Sequence, residues 1–257
     1  MRGSLTVVGT GIQAAAHLTT GARLAVQRAD EVLYAVNDPV AAAWIERANP
    51  NARSLDSFYE AGKERRQIYT AISDEIVARV RSGADVCAVF YGHPGVFAWA
   101  GHDAIRRLRA DGFPARMLPG VSTMDCLVAD LGLDPAPSGS QSYEATDFLV
   151  RRRTIDTGAL LILWQIGFIG TWHYEPVQNV RALPLLVERL LQLYPADHET
   201  ILYEASPYPV AEPIVQRLPV ASLAEAAVSP VATLVVPPRN EPEFDRVMLE
   251  RLRRLRS

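Results

Sequence analysis

The mostly apolar run Asp85–Phe90 constrains the fold of this chain more than any other segment. Its valine, cysteine, alanine and phenylalanine side chains suit a strand that is buried on both faces of a parallel sheet. Gly92, Pro94 and Gly95 then end the strand, because glycine adopts positive φ and proline offers no amide hydrogen. Ligands of open α/β sheets bind at the carboxyl ends of strands. The turn Tyr91–Phe97 is therefore either a ligand site or an ordinary turn, and the residues themselves leave both interpretations open.

Strand-like runs alternate with helical patterns through the first half of the chain. Runs rich in β-branched residues predict strands, and apolar residues at helical spacing predict helices. The predicted strands are Ser4–Val8, Glu31–Val36, Asp85–Tyr91 and Ala115–Leu118, and the predicted helices are Thr20–Arg28, Val40–Arg47, Arg65–Arg81 and His102–Ala110. This alternation indicates an α/β domain with a mostly parallel sheet.

A second α/β set follows Pro119. Its predicted helices are Ser122–Asp130, with Ser122 as the N-cap, and Ala182–Tyr194, and its predicted strands are Ala159–Gln165, Thr200–Glu204 and Thr233–Val236. Residues 134–139 are rich in proline and form a loop within this half rather than a linker. We therefore predict an α/β fold of two domains, residues 1–118 and 119–241, followed by a helix over 242–257. Such domains meet in a cleft, which commonly houses a ligand.

Composition places the chain among ordinary globular proteins. Of its 257 residues, 49% are hydrophobic and 21% are charged, and no apolar run reaches membrane-spanning length. The amino terminus carries no secretion signal, so a cytoplasmic protein without a membrane partner is expected. The net charge of −3 provides no basic surface for nucleic acid, and the five histidines lack the spacing of metal ligands. Cys87 and Cys126 are isolated, which favours core residues over a disulfide.

Two glycines, Gly9 and Gly11, follow the first predicted strand. Such a turn resembles a dinucleotide-binding fingerprint, in which phosphate approaches the backbone at a helix amino terminus. The next helical pattern begins only near Thr19, too far along the chain for that geometry, and the second strand ends without a clean ribose-binding acid. A close-packed turn under a different ligand is the favoured interpretation.

Four motifs, in order along the chain, carry a family resemblance. They are Gly9-Thr10-Gly11, the turn Tyr91–Phe97, the segment Met117–Thr123 and the strand end Leu163-Trp164-Gln165. In order and spacing they resemble the tetrapyrrole (corrin/porphyrin) methylases, and the resemblance covers nearly the whole chain. It implies a two-domain α/β methyltransferase that binds S-adenosylmethionine, and its product S-adenosylhomocysteine, in the interdomain cleft.

Longer motifs are similar to one branch of that family, the borosin peptide backbone α-N-methyltransferases. They are Gly62–Tyr69, Tyr143–Asp147, Trp164–Gly167 and the turn Tyr91–Phe97, which has histidine where the wider family has a Gly-Asp-Pro type of turn. Borosin enzymes often carry their substrate as a carboxyl-terminal extension, and this chain ends at Ser257. The resemblance therefore implies a homodimer that acts in trans on a separate precursor peptide with its own leader or binding domain.

The chemistry of amide methylation directs attention to the helix Arg65–Arg81. An amide nitrogen is a poor nucleophile because its lone pair is delocalised into the carbonyl, so methylation needs a base or polarising groups and an aligned electrophile. Arg65 and Tyr69 share one helix face, and a guanidinium beside a phenol lowers the pKa of the phenol. Tyr59 lies just before this helix. The resemblance gives these three residues as the catalytic set, without deciding which tyrosine takes the proton.

The same helix also has a purely structural interpretation. Its apolar residues recur every four positions and predict a core face, formed by Ile68, Ile72, Ile76 and Val80. Arg65 and Tyr69 would then lie on a solvated flank, and the resemblance, rather than the pattern, favours catalysis. The resemblance also implies a further active-site tyrosine that is replaced in this chain, near Asp56, which bears on substrate preference.

The resemblance assigns the cofactor residues in two groups. It places Tyr91, His93, Val96 and Phe97 around the amino acid and sulfonium portion, and Gln165, Tyr203, Ala232 and Thr233 on the adenosine side. Ser122 and Thr123, at a helix start with free amide hydrogens, are candidate partners of the carboxylate or hydroxyl groups. By pattern alone, Gln165 is a surface residue, Tyr203 is a strand aromatic, and the His93 ring only packs in its turn.

The carboxyl-terminal segment Pro242–Leu255 has apolar residues at helical spacing and arginines on the other face. We interpret it as a helix that closes the second domain, the alternative being a dimer contact or a docking site for an acidic precursor. Two other functions compete with peptide methylation. One is a small-molecule tetrapyrrole or corrinoid methyltransferase that uses the same cofactor site, and the other is a cofactor-binding module without catalysis.

Overall fold

The structure is a computed structural model that describes residues 3–13 and 15–255. Packing divides the chain into two compact units, each of which is formed by several segments. The first comprises Met1–Leu133, Thr171–Val177 and Ala205–Ile214, and the second comprises Asp134–Gly170, Gln178–Glu204 and Val215–Ser257. No helix in the described ranges is long and apolar enough to cross a membrane.

The first unit is built on a five-stranded sheet. Its strands are β1 (Ser4–Gly9), β2 (Glu31–Ala35), β3 (Ala52–Ser54), β4 (Asp85–Phe90) and β5 (Ala115–Met117), in the order β3-β2-β4-β1-β5. Every pairing is parallel, which confirms the predicted parallel sheet. β4 lies at the centre, and its residues from Val86 onward are buried, as expected of a strand covered on both faces. β3 was not predicted, because its three residues contain no apolar run.

Five helices accompany this sheet. They are α1 (Thr20–Arg28), α2 (Pro39–Ala48), α3 (Arg65–Arg81), α4 (Trp99–Ala110) and α5 (Thr123–Leu131). One core cluster joins the sheet to α3 and α4, and another joins the opposite face to α1 and α2. α4 begins before the predicted His102, and Gly101 lies in its first turn, where an added Cβ would meet Val7 Cγ1 at 3.1 Å. Gly101 lies inside the helix, where the absence of a side chain permits close packing of the helix on the sheet.

α3 is held firmly against α4. The predicted core face of α3 is confirmed, since Ile68, Ile72, Ile76 and Val80 are all fully buried. One turn after Tyr69, the Ser73 hydroxyl donates a hydrogen bond of 2.7 Å to the buried carboxylate of Asp103 on α4. A second bond joins the two helices, since Arg107 on α4 donates to the carboxylate of Asp74 on α3 at 2.7 Å. The helix that carries Arg65 and Tyr69 thus has a fixed position in the first unit.

The two glycine turns at the carboxyl ends of β1 and β4 are bonded to each other. Gly11 N–H donates to the Gly92 carbonyl at 3.2 Å, and Gly92 N–H donates to the Gly11 carbonyl at 3.1 Å. Both glycines have positive φ, 72° and 68°. α1 begins only at Thr20, after the Thr19 N-cap. The geometry is that of a close-packed turn and not of a dinucleotide-binding loop.

Gly9→Ala should destabilise the first unit by roughly 1–3 kcal/mol, because overpacking forces the backbone to move. A Cβ at Gly9 would lie 2.0 Å from the Gly92 carbonyl oxygen. Urea titration of the wild type and the variant measures the change in the free energy of unfolding. Gly21→Ala is the matched control, since its Cβ would make only ordinary contacts, with Leu118 Cδ1 at 3.4 Å and Thr19 Oγ1 at 4.0 Å. Equal stability of the two variants would contradict the importance of this backbone contact.

The second unit contains a mixed sheet. Its strands are β6 (Ser140–Glu144), β7 (Leu160–Trp164), β8 (Glu199–Glu204), β9 (Ile214–Pro219) and β10 (Thr233–Val236), in the order β6-β7-β10-β8-β9. β6 is parallel to β7, whereas β10 is antiparallel to β7 and β8. The predicted strands of this half are confirmed within a few residues. β6 and β9 were missed because most of their residues are polar or exposed.

Two helices, α6 (Ala145–Val150) and α7 (Leu183–Leu191), pack on this second sheet. A third, α8 (Arg246–Arg254), behaves differently from the prediction that it closes the domain. None of its described residues is buried, and the apolar side chains of Val247 and Leu252 are 70% and 54% exposed. Amphipathic spacing alone therefore did not determine burial. Contact with a second copy or with an acidic precursor stays a prediction.

The division between the units differs from the predicted boundary near Pro119. α5 belongs to the first unit, where Cys126 Sγ lies 3.9 Å from His17 Nδ1. Two later segments, Thr171–Val177 and Ala205–Ile214, also pack with that unit. A proline and glycine turn ends a strand without ending a domain, since domain membership depends on which elements pack together.

Candidate active site

The predicted catalytic residues surround the start of α3. Tyr59 follows a short 3₁₀ turn at Asp56–Phe58, and Arg65 is the first residue of α3, with Tyr69 one helical turn later. Tyr59 and Tyr69 are half-buried and pack on the core cluster beneath α3 and α4. Arg65 and Tyr69 therefore do not lie on a fully solvated flank. The first unit brings all three predicted residues into one neighbourhood.

Burial dominates the electrostatics of Tyr59, the tyrosine of the predicted set that precedes α3. Burial raises the pKa of Tyr59 well above the ordinary tyrosine value, and the nearby Tyr69, Asp56 and Tyr174 raise it further. Arg65 acts in the opposite direction, but its effect on this pKa is smaller. The Tyr59 hydroxyl thus keeps its proton at neutral pH. It is suited to donate a hydrogen bond to a carbonyl oxygen rather than to accept a proton.

A third aromatic residue, Tyr174, lies in the same cluster and was not predicted. Its ring meets the Tyr59 ring edge-to-face, with centroids 5.4 Å apart and an angle of 61° between the planes. Tyr174 reaches this position because the segment Thr171–Val177 packs with the first unit. The aromatic run Trp172-His173-Tyr174 was a signal in the sequence, but its partner could not be inferred from local pattern.

The turn after β4 exposes apolar side chains. Tyr91, Val96 and Phe97 are 38%, 46% and 52% exposed, although they lie at the carboxyl end of the central strand. Phe97 also has a φ of 54°, a conformation that is costly for a residue with a Cβ. Exposed apolar groups and backbone strain together are typical of a ligand site. These features favour the ligand-site interpretation of the turn over the ordinary one.

His93 holds this turn together. Its Nδ1 accepts a hydrogen bond of 3.0 Å from Gly95 N–H, while His102 Nε2 lies 3.0 Å from the Gly95 carbonyl oxygen. A Cβ at Gly95 would lie 2.9 Å from Met117 Sδ, so the turn is tightly packed. The role that the structure gives to His93 is to shape the turn, which agrees with the packing interpretation of its ring.

Ser122 is the N-cap of α5, as predicted. Its hydroxyl accepts from Asp125 N–H at 3.4 Å, and its own N–H donates to Asp125 Oδ2 at 2.7 Å, which completes a capping box. The Ser122 hydroxyl also donates to this carboxylate at 2.6 Å. A ligand at this helix start would therefore meet the first-turn amide hydrogens and Thr123 more readily than the Ser122 hydroxyl.

The second unit places its four predicted residues at one end of three adjacent strands. Thr233 on β10 pairs with Tyr203 on β8. β7 and β10 are antiparallel, with Leu163 opposite Leu234, so Gln165, just after β7, and Ala232, just before β10, lie at the same end of the sheet. Their shared position supports a common role.

The side chains of this second group differ in accessibility. Gln165 is half-buried and has a φ of 59°, again a strained conformation for a residue with a Cβ. Tyr203, Ala232 and Thr233 are at most 5% exposed. These three residues could contact a ligand through their backbone, whereas Gln165 could also offer its amide group.

Comparison with curated proteins finds extensive sequence similarity. The chain is 38% identical over 250 residues to a methyltransferase/ribosomally synthesized cyclic peptide gymnopeptides precursor from Gymnopus fusipes, which covers 95% of this chain and 60% of that protein. It is 39% identical over 256 residues to the omphalotin A precursor from Omphalotus olearius, a protein of the same description, which covers 97% of this chain and 61% of that protein. The chain thus spans about six tenths of the length of these relatives.

Solved structures share the fold at lower sequence identity. Uroporphyrin-III-C-methyltransferase from Thermus thermophilus matches with a TM-score of 0.66 and 23% identity, covering 95% of this chain and 99% of that one. Diphthine synthase matches with a TM-score of 0.66 and 18% identity, covering 98% of this chain and 95% of that one. The model of the family Tetrapyrrole (Corrin/Porphyrin) Methylases matches residues 4–217. With a family match over most of its length and the same α/β fold, the chain belongs to the tetrapyrrole methylases.

Proposed function

We propose that this chain transfers methyl groups from S-adenosylmethionine to backbone amide nitrogens of a separate, ribosomally made precursor peptide. The observation that carries the proposal is the cluster of Tyr59, Arg65 and Tyr69 at the start of α3. The similarity to proteins described as methyltransferase/ribosomally synthesized cyclic peptide precursors, at 38% and 39% identity, supports the same substrate class. We further expect a homodimer, which light scattering of the purified protein would reveal.

Each residue of the cluster has a distinct task in this reaction. The protonated Tyr59 hydroxyl donates to the substrate carbonyl oxygen, which draws electron density away from the amide bond. As the amide N–H proton leaves, negative charge spreads over nitrogen and oxygen, and the Arg65 guanidinium stabilises this charge. Tyr69, on the same helix face, is our candidate for the proton acceptor, a role that a tyrosine fills in its phenolate form. The nitrogen then forms a bond to the methyl carbon as the carbon–sulfur bond breaks.

The residues at the carboxyl end of β4 fit the cofactor. S-adenosylmethionine supplies an electrophilic methyl group on a sulfonium, and its apolar parts would cover the exposed side chains of Tyr91, Val96 and Phe97. We assign its carboxylate to the amide hydrogens at the start of α5, near Thr123. We assign the adenosine side to four residues of the second unit, Gln165, Tyr203, Ala232 and Thr233. Gln165 would offer its side-chain amide, and the other three would offer their backbone.

Phe97→Ala should weaken the binding of S-adenosylmethionine by about tenfold, because an aromatic contact in a ligand site contributes roughly 1–2 kcal/mol. Isothermal titration calorimetry measures the affinity. Since the Phe97 side chain is 52% exposed, the free energy of unfolding should change little. Trp99→Ala, an exposed aromatic of the neighbouring α4, serves as the control and should leave the affinity unchanged. Equal affinities of all three proteins would remove Phe97 from the cofactor site.

The decisive experiment combines the purified protein, S-adenosylmethionine and a candidate precursor peptide made as a separate chain. Fragment mass spectra should show increments of one methylene group on backbone nitrogens of the peptide. A precursor with an acidic helical leader and an apolar core is the first choice. Absence of transfer to a separate peptide, with transfer to the same sequence fused to the enzyme, would contradict action in trans.

One observation favours a second function: the matching family is named for the methylation of corrins and porphyrins. The alternative is methylation of a tetrapyrrole or corrinoid at carbon, which uses the same cofactor site. Such a reaction gives no evident task to Tyr59, Arg65 and Tyr69. Methylation of a macrocycle with no transfer to peptides would favour this alternative, and cofactor binding without any transfer would favour a non-catalytic module.

A further inference from the structure

The segment Trp172–Tyr174 pairs with the residues that lead into α3. Gly62 N–H donates to the Tyr174 carbonyl at 2.9 Å, and Tyr174 N–H donates to the Lys63 carbonyl at 2.8 Å. Together with the bond from Arg65 N–H to the Trp172 carbonyl, they form a short antiparallel ladder around a bridge between Glu64 and His173. The ladder fixes the backbone of Tyr174 in the first unit. The residues just before this segment, Asp134–Gly170, belong to the second unit.

The same ladder fixes the start of α3. Arg65 N–H donates to the Trp172 carbonyl at 3.2 Å. The first amide hydrogens of a helix have no acceptor within the helix, and the N-cap residue Glu64 provides no side-chain acceptor here. Trp172–Tyr174 therefore supplies the cap through its backbone. Arg65 and Tyr174 thus share one hydrogen-bonded backbone frame.

Within this frame the Tyr174 ring contacts the Tyr59 ring edge-to-face, at 5.4 Å and 61°. Both rings are half-buried and pack on the same core cluster. Tyr59 itself follows a 3₁₀ turn and lies outside any helix or strand. The backbone places the Tyr59 ring, but the plane of the ring is set by its side-chain neighbours, and Tyr174 is the neighbour whose ring meets it edge-to-face.

We propose that Tyr174 is a positioning residue of the methyl-transfer site, whose ring holds the Tyr59 phenol in the plane that aims its hydroxyl at the substrate carbonyl. This inference rests on the proposed function of Tyr59. The charged and titratable groups around Tyr59 are Asp56 on its own turn, Arg65 and Tyr69 on α3, and Tyr174 itself. A donor that is misaligned by about 1 Å can lose about 10²-fold in rate, so the orientation of Tyr59 matters for turnover.

Steady-state kinetics test the role of the ring. Tyr174→Leu should lower kcat by at least about tenfold, with the KM for S-adenosylmethionine unchanged, because the orientation of Tyr59 matters only in the transition state. Tyr174→Phe keeps the edge-to-face contact and should retain kcat within about threefold. His173→Ala is the control, since the neighbouring His173 is exposed whereas Tyr174 is half-buried. Equal kcat values for Tyr174→Leu and His173→Ala would overturn the proposal.

Fluorine NMR provides a readout that does not depend on turnover. In protein labelled with fluorotyrosine, Tyr59→Phe identifies the Tyr59 resonance. This resonance should shift in Tyr174→Leu, which lacks the neighbouring ring, and stay in place in His173→Ala. An unshifted resonance in Tyr174→Leu would overturn the proposal, whatever the kinetics show. If the wild type methylates no peptide, the proposed function fails, while the NMR comparison still decides whether the Tyr174 ring lies against the Tyr59 ring in solution.

Discussion

Arg65→Ala is expected to reduce peptide methylation by about 10²- to 10³-fold while leaving the affinity for S-adenosylmethionine unchanged. Loss of the amide proton creates negative charge on the substrate, and removal of one group that stabilises such charge has an effect of this size. The backbone N–H of Arg65, which donates to Trp172, is retained in the variant, so the cap of α3 persists. Single-turnover assays with saturating cofactor measure the rate, and calorimetry measures the affinity.

Two substitutions sharpen this test. Arg66→Ala removes the same charge from the next residue, which is exposed, and should leave the rate within about threefold of the wild type. Arg65→Lys keeps the charge but loses the planar fork of donors, so only part of the activity should remain. If Arg66→Ala and Arg65→Ala were equally slow, the effect would be one of net charge, and Arg65 would have no specific place in the site.

Tyr59→Phe is the second substitution with a large expected effect, a loss of about 10²-fold or more in kcat. The raised pKa of Tyr59, caused first by burial and then by Tyr69, Asp56 and Tyr174, makes its hydroxyl a proton-bearing donor. Phenylalanine keeps the ring contact with Tyr174 and removes only this donor. Steady-state assays of the wild type and the variant measure kcat.

Tyr194→Phe is the matched control for loss of a tyrosine hydroxyl. Tyr194 is buried in the core of the second unit, and among the described residues its hydroxyl has no hydrogen-bond partner. Its removal should leave methyl transfer unchanged. Unaltered kcat in Tyr59→Phe, or an equal loss in Tyr194→Phe, would contradict the assignment of Tyr59 as the group that polarises the carbonyl.

Protein stability offers a check on Tyr59 without any assay of transfer. Because the folded-state pKa of Tyr59 is raised, the unfolded chain loses the phenolic proton first as the pH rises past about 10, the ordinary tyrosine value. The folded state then binds more protons than the unfolded state, so stability falls with pH in this range. The free energy of unfolding of Tyr59→Phe should decline less steeply above pH ~10 than that of the wild type.

Local pattern was sufficient for most elements of the fold. β4 and α3 were predicted because a short apolar run and an apolar repeat of four residues each describe one environment, a doubly covered strand and a helix with one core face. β6 and β9 were missed, since strands with many polar or exposed residues have no such pattern. The exposure of α8 shows the opposite failure, in which an amphipathic pattern exists without a covering element.

The candidate site divides in a similar way. The residues Tyr59, Arg65 and Tyr69, and the turn Tyr91–Phe97, were identified from the sequence by motif and resemblance. The strained φ of Phe97, the bonds between Ser122 and Asp125, and the burial of the Tyr203 side chain were visible only in the structure. These properties depend on backbone geometry and on neighbours from other elements, which the spacing of residues does not specify.

The sequence by itself determined the α/β class, the parallel first sheet and the helix that carries Arg65 and Tyr69, because periodicity within a segment reports how that segment is buried. Only the tertiary structure brought Tyr174 to Tyr59 and decided the direction of the Tyr59 pKa shift. A pKa depends on burial and on charges within a few ångströms. Those neighbours come from segments far apart along the chain, so no local pattern could have supplied them.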